Sequence, residues 1–243
     1  MKIAAAQIQS RPGEVDFNLS EHLRCAAQAA RLGVELIIFP EMSITGYVKA
    51  TAADLAFVPN DTRLNELQQL AQQQNIILIA GAPIRHNGQL YIGSFICFPD
   101  RAMSFYTKRY VHDSEDAYFQ SCFDHNPIIE LNGKKMGLAI CADINHPEHP
   151  QALKDLDCTF YLPSIFDTME AVKKAHRLLP QYAQTHRMNV LMSNFYGEAG
   201  SLLAGGRSAF WNTDGNLLQE LSSDKGGLLV VEHSENGWST SCH

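Results

Sequence analysis

Glu41, Lys108 and Cys141 are side chains that could together break a bond at a carbonyl, and they hold comparable places in this 243-residue sequence. Each follows a short apolar run. Leu36-Ile-Ile-Phe39 leads to Pro40-Glu41, Ala102 to Thr107 leads to Lys108, and Lys135 to Ile140 leads to Cys141. Such runs read as buried strands, and in α/β sheets ligands bind beyond the carboxyl ends of the strands. A thiol supplies a nucleophile, a carboxylate a proton acceptor and an ammonium a counter-charge, a set suited to covalent acyl transfer. Cys141 also has a local setting of its own. Pro147 suits the first position of a helix and Glu148 its first turn. The cysteine therefore sits between a strand end and a helix start, where a nearby helix N-terminus is expected to lower a thiol pKa. Taken alone it is better read as a small core residue; Glu41 and Lys108 turn the balance.

Two other chemistries compete for this stretch. His146 or His149 could serve Cys141 as a base, but His146 is on the same turn, an awkward geometry. His146-Pro-Glu-His149 offers two imidazoles, yet it lacks the HExxH spacing and has Pro147 inside it, so no metal is expected.

The elements that must position these residues follow from periodicity. Ile3 to Ile8 reads as a strand. A helix capped by Asp16 or Asn18 runs to about Leu32, with Leu19, Leu23, Ala26, Ala27 and Ala30 at helical spacing and Gly33 closing it. A second helix covers roughly 62–74 and a third strand Ile76 to Ala80. Asn87-Gly88 and Asn132-Gly133 are two-residue hairpin signals, the second leading into Cys141. Further helices are expected from Pro147 to about Leu156 and over roughly 168–188. Further strands are expected at Thr159–Leu162, Val190–Asn194, Gly205–Trp211, Leu217–Leu221 and Gly227–Val231. Strand–helix alternation with hairpins at the end of each half argues α/β with mixed sheets, stacked sheet on sheet with helices outside. No Pro-, Gly- or Ser-rich linker divides the chain, so one domain is expected over 1–232. A tail of low apolar content, 233–243, is read as an arm or partly disordered segment.

Composition narrows the function. The chain has 19 basic and 26 acidic residues, a net charge of −7, and 45% hydrophobic residues. That balance disfavours nucleic acid and anionic membrane as partners. No apolar run reaches spanning length, and the first residues are too short an apolar stretch for a secretory signal. Six scattered cysteines without a CxxC pair favour a reduced, cytoplasmic setting over a disulfide framework.

Phe39-Pro-Glu-Met-Ser-Ile-Thr-Gly-Tyr47, Tyr106-Thr-Lys108 and Ile140-Cys-Ala-Asp143 with Pro147-Glu148 make the sequence resemble the nitrilase, or carbon–nitrogen hydrolase, superfamily. Pro163-Ser-Ile-Phe166, Asn194 and Gly206-Arg-Ser208 before Asp214-Gly215 extend the likeness over roughly 1–232. The resemblance implies an αββα sandwich, a Glu–Lys–Cys triad, no cofactor, and a homodimer or larger assembly acting on a small amide. It implies Glu115 as a second active-site glutamate and Tyr47, Phe166 and Asn194 as pocket walls. Cys141 would attack the carbonyl carbon, Glu41 would carry the thiol proton to the leaving amine, and Lys108 with the backbone N–H of Ala142 would stabilise the oxyanion. Three positions depart from many relatives: Ala142 instead of an aromatic, Asn145 instead of arginine, and Tyr110 instead of histidine. Ala142 leans toward an amidase, with N-carbamoyl amines and nitriles as alternative substrates. An acyltransferase and a catalytically silent binding protein are the remaining readings on this fold. For a substrate carboxylate, Arg109 and His146 are the basic residues at hand.

Overall fold

The computed structural model describes residues 1–199 and 202–243. The first half runs β1 (Lys2–Gln7), α1 (Val15–Arg31), β2 (Leu36–Ile38), α2 (Ala52–Leu55), α3 (Asn65–Gln74), β3 (Ile77–His86), β4 (Gln89–Cys97) and β5 (Ser104–Thr107). The second runs β6 (Ile129–Leu131), β7 (Lys134–Ile140), a 3₁₀ turn (Cys141–Asn145), α4 (Glu148–Asp155), β8 (Phe160–Ser164), α5 (Ala171–His186) and β9 (Asn189–Met192). It closes with β10 (Tyr196–Ala199), β11 (Leu202–Gly205), β12 (Ala209–Trp211), β13 (Leu217–Glu220), β14 (Gly227–Ser234) and β15 (Gly237–Cys242).

The strands form two mixed sheets, β15-β14-β1-β2-β3-β4-β5 and β13-β12-β9-β8-β7-β6, with a separate β10-β11 ribbon. β1, β2 and β3 are parallel to one another, as are β7, β8 and β9. The hairpins at Asn87-Gly88 and Asn132-Gly133 carry positive φ at both central residues, 49° and 77°, then 51° and 72°. That is the twist a two-residue connection needs.

Alternation along each central strand builds four layers. Ile3, Ala5, Leu36 and Ile38 of the first sheet meet Met136, Leu138, Phe160 and Leu162 of the second in the core between the sheets. Ala4, Ala6, Ile37 and Leu78 face outward onto Ala26 and Ala29 of α1 and Leu67 and Ala71 of α3. Ala139, Tyr161 and Val190 face outward onto Val172, Leu179 and Ala183 of α5. The fold is therefore the expected αββα sandwich, and strands buried on both faces explain why the runs read as continuously apolar.

Two hydrogen bonds pin the sheets together at their carboxyl ends: Ser164 Oγ donates to Phe39 O at 2.8 Å and Ser193 Oγ to Ala6 O at 2.6 Å. Gly81 sits where a Cβ would meet Pro40 O at 2.7 Å and strike Met42 N, so β3 can approach the Glu41 turn this closely only without a side chain.

Two expectations are corrected. The segment 205–211 is not one strand; β11 ends at Gly205 in the β10 ribbon and β12 begins at Ala209. The tail is not a loose arm: residues 237–242 form β15, antiparallel to β14, with Leu229 opposite Cys242 and His233 opposite Trp238. Trp238 packs on Phe160 and Phe210 of the other sheet, at centroid distances of 5.8 and 4.8 Å. An edge strand with its outer face in water carries little apolar content, which is why composition misled there.

Candidate active site

β2, β5 and β7 bring their following residues to one place. Glu41 begins the turn after β2, Lys108 follows β5, and Cys141 opens the 3₁₀ turn after β7. Cys141 has φ +40°, a left-handed conformation that a non-glycine residue adopts at a cost of about 1 kcal/mol or more. The sharp turn it makes places this half-buried residue just beyond the strand end.

Glu41, Lys108 and Glu115 are fully buried. Lys108 Nζ donates to Glu41 Oε1 at 2.7 Å and to both oxygens of Glu115 at 3.0 and 2.8 Å. Glu115 also accepts from Tyr47 OH at 2.7 Å and from the backbone N–H of His112 at 2.8 Å. Glu41 Oε2, by contrast, is buried with no hydrogen-bond partner among the described residues.

That asymmetry separates the two carboxyls. Burial pushes the Glu41 pKa up to about 7, against the pull of Lys108 and with a further push from Glu115. Burial also acts to raise Glu115, but Lys108, Tyr47 and the His112 N–H outweigh it and leave its pKa lowered. For Lys108 burial works against the charge, while Glu41, the Cys141 sulfur and Glu115 outweigh it, so its pKa is raised and it stays an ammonium. The thiol is a correction. Burial and the Glu41 charge push the Cys141 pKa well above its usual value despite Lys108. The expected helix-terminus effect is outweighed, because only a single 3₁₀ turn starts at the sulfur while Glu41, Asp167 and Glu115 act on it through their charges. At rest the group is a thiol beside a proton acceptor.

Asp143 was not singled out by sequence reasoning, though it stands in the Cys141-Ala-Asp143 motif. It is fully buried and its carboxylate staples the two turns together. Oδ2 accepts from Ile140 N at 2.8 Å and Tyr106 OH at 2.7 Å; Oδ1 accepts from Arg109 N at 3.0 Å and Tyr110 N at 2.9 Å. The Lys108 and Cys141 turns are thus held through one side chain.

Tyr47 and Phe166 stack at 4.6 Å between centroids and 17° between planes. The Phe166 carbonyl lies 3.9 Å from Cys141 Sγ and Tyr47 OH is bonded to Glu115, so the pair is anchored at the site. Ala142 is buried at the second position of the 3₁₀ turn, where a first-turn N–H lacks an intrahelical acceptor. Asn194 has a different place. It is fully buried and its amide is spent on backbone, accepting from Asp167 N at 3.0 Å and donating to Asp167 O at 3.2 Å and Gly206 O at 2.9 Å. Its amide groups hold the Phe166-Asp167 segment, so it borders the site through that segment. The histidines turn elsewhere: His146 stacks on Tyr110 at 3.7 Å, and His149 lies between the hydroxyls of Tyr106 and Tyr161 at 2.9 and 3.2 Å.

Residues 2–239 match the family model described as carbon-nitrogen hydrolase. The chain belongs to the carbon-nitrogen hydrolase family. An "(R)-stereoselective amidase" of Pseudomonas sp. is 30% identical over 93% of this hydrolase and 82% of its own length. A glutamine-dependent NAD(+) synthetase of Acinetobacter baylyi is 28% identical over 95% of this chain, which spans 44% of the synthetase. Among solved structures, a variant of the amidase from Nesterenkonia sp. AN1 superposes with a TM-score of 0.87 at 25% identity, over 96% of this chain and 92% of that one. It shows the product of Michael addition of acrylamide at its active-site cysteine.

Proposed function

We propose that this hydrolase cleaves the carbon–nitrogen bond of a small linear amide through a thioester on Cys141. Amidases among its relatives support the reading, and one observation carries it: a buried glutamate with one oxygen bonded to Lys108 and the other unpartnered, interacting with the Cys141 thiol, while Lys108 is fixed between Glu41 and Glu115. Cys141 Sγ attacks the carbonyl carbon as Glu41 Oε2 accepts its proton. Lys108 Nζ and the Ala142 N–H bear the oxyanion charge. Collapse expels the amine with the proton returned from Glu41, leaving the acyl thioester. Glu41 then takes a proton from water, hydroxide adds to the thioester carbonyl, and the carboxylic acid leaves as Cys141 recovers its proton. Glu115 keeps Lys108 aimed and Tyr47 and Phe166 flank the acyl group. With Ala142 following the nucleophile, amides are preferred over nitriles.

The test is ammonia release from a panel of short amides, nitriles and N-carbamoyl amines, with mass spectrometry of the peptide containing Cys141. Amide turnover, an acyl adduct on Cys141 and abolished turnover in Cys141→Ala are expected. Turnover of Cys141→Ala near the wild-type rate would overturn the covalent route.

We further infer a single hydrolase domain and a homodimer, the latter on family resemblance, with no nucleic acid or membrane partner. Light scattering at micromolar concentration checks the assembly, and a monomer there would refute it. No described helix is long and apolar enough to cross a membrane. All six cysteines are free, which fits a reducing, cytoplasmic compartment.

A further inference from the structure

One charged side chain at the site takes no part in the chemistry just described. The Phe166 carbonyl lies 3.9 Å from Cys141 Sγ, and Asp167 is the next residue. Covalent reach alone keeps its carboxylate within about 9 Å of the sulfur. Its backbone is clamped on both sides, by the Asn194 amide at 3.0 and 3.2 Å and by Gly205 N, which donates to Asp167 O at 2.8 Å. The carboxylate itself accepts no hydrogen bond from any described residue, and it does not cap α5, whose early N–H at Ala171 is taken by Thr168 Oγ1 at 3.4 Å. Lys174 acts on Asp167 through its charge, but its ammonium is bonded to Asn145 Oδ1 at 2.6 Å.

The carboxylate therefore has a fixed backbone and an uncommitted head. Glu41, Lys108 and Glu115 are fully buried, whereas Cys141, Tyr47 and Asp167 are partly exposed. Asp167 acts through its charge on both the thiol and Lys108. Burial pushes its pKa up to about 6, against Lys174 and Lys108, so it is ionised at neutral pH. Glu115, Asp167 and a half-ionised Glu41 carry more negative charge than the Lys108 ammonium balances, the Lys174 ammonium being held on Asn145, and an anionic substrate would meet net repulsion.

We infer that Asp167 selects substrates by charge, favouring short amides that carry a primary ammonium group elsewhere in the molecule and rejecting those that carry a carboxylate. This rests on the amidase reading above for its substrates, but not for its charge effect on the thiol. A charge pair at a few ångströms in a partly exposed setting is worth about ten- to a hundredfold in discrimination.

The experiment compares kcat/KM for amides of matched length bearing an amino group, a methyl group or a carboxyl group at the far end, in wild type and Asp167→Asn. The wild-type ratio of amino to methyl amide is expected to exceed about tenfold, and the variant to bring it near unity while relieving rejection of the carboxyl amide. In parallel, Cys141 is alkylated with 2-bromoethylammonium, iodoacetamide and iodoacetate. The cation-to-anion rate ratio should fall by about tenfold in Asp167→Asn whether or not any amide is a substrate. Equal ratios in wild type and variant, in both assays, overturn the role of Asp167 and leave the amidase reading standing. Charge-selective alkylation that Asp167→Asn abolishes, with no amide of any charge hydrolysed, sustains the charge role and overturns the amidase reading instead. Asp167→Glu, which restores the charge, should recover the alkylation ratio; failure to do so would assign the loss to backbone damage and sink the proposal.

Discussion

Glu41 and Glu115 share one lysine yet titrate in opposite directions, and the difference separates their roles. A carboxyl with a pKa of about 7 is half ionised where the enzyme would work, the condition under which a general base is most effective. Because only ionised Glu41 can accept the thiol proton, kcat/KM should rise with pH through about 7 and level off above it. Glu41→Gln should erase that rise and lower the rate by about a hundred- to ten-thousandfold. A rise surviving in Glu41→Gln would belong to another group. Lys108 is checked through the thiol. Loss of the ammonium in Lys108→Met removes the group that favours the thiolate, so alkylation of Cys141 by iodoacetamide should shift to higher pH. Glu41→Gln should shift it to lower pH, since the Glu41 charge disfavours the thiolate. An unchanged profile in Lys108→Met would remove Lys108 from the thiol's surroundings. The three residue types and their strand-end positions were legible in the sequence. The direction of the thiol's pKa was not, because it depends on how many carboxylates the fold packs around the sulfur.

At the scale of elements, the site depends on turns more than on strands, and Asp143 is what joins two of them. Its four acceptor contacts tie Ile140, Tyr106, Arg109 and Tyr110 together. Asp143→Asn keeps the shape but replaces one acceptor oxygen with a donor facing donors. We expect a loss of about 2–4 kcal/mol by urea unfolding, with kcat falling more than KM rises because Lys108 and Cys141 lose their relative placement. Unfolding and kcat that both stay at wild-type values would show that the staple positions nothing. Hydrophobic periodicity told where β2, β5, β7 and the helices lie, and Asn-Gly told where the hairpins turn. It could not reveal Asp143 or the hydrogen bonds of Asn194, because both act through backbone groups brought close only by the finished fold. The β10 ribbon escaped for a related reason: Gly197 and Glu198 break its apolar pattern.

At the scale of the whole molecule, the final strand closes an edge. β15 covers β14, and Trp238 reaches across to Phe160 and Phe210 of the opposite sheet. Ending the chain after Ser234 would uncover the β14 backbone and part of the core between the sheets. The Tm should drop by about 5 °C or more and the truncated chain should form aggregates larger than the full chain's assembly at micromolar concentration, followed by calorimetry and light scattering. A truncated chain that melts and sediments as the full one does would make β15 dispensable. The close approach of β3 to the Glu41 turn reaches beyond stability. In a library randomised at every position and selected for growth on an amide nitrogen source, position 81 should return glycine alone. It would then read as invariant as the nucleophile itself, though Gly81 has no side chain to do chemistry; the invariance would record crowding around a backbone, and a tally of unchanging positions would overcount the residues that perform chemistry.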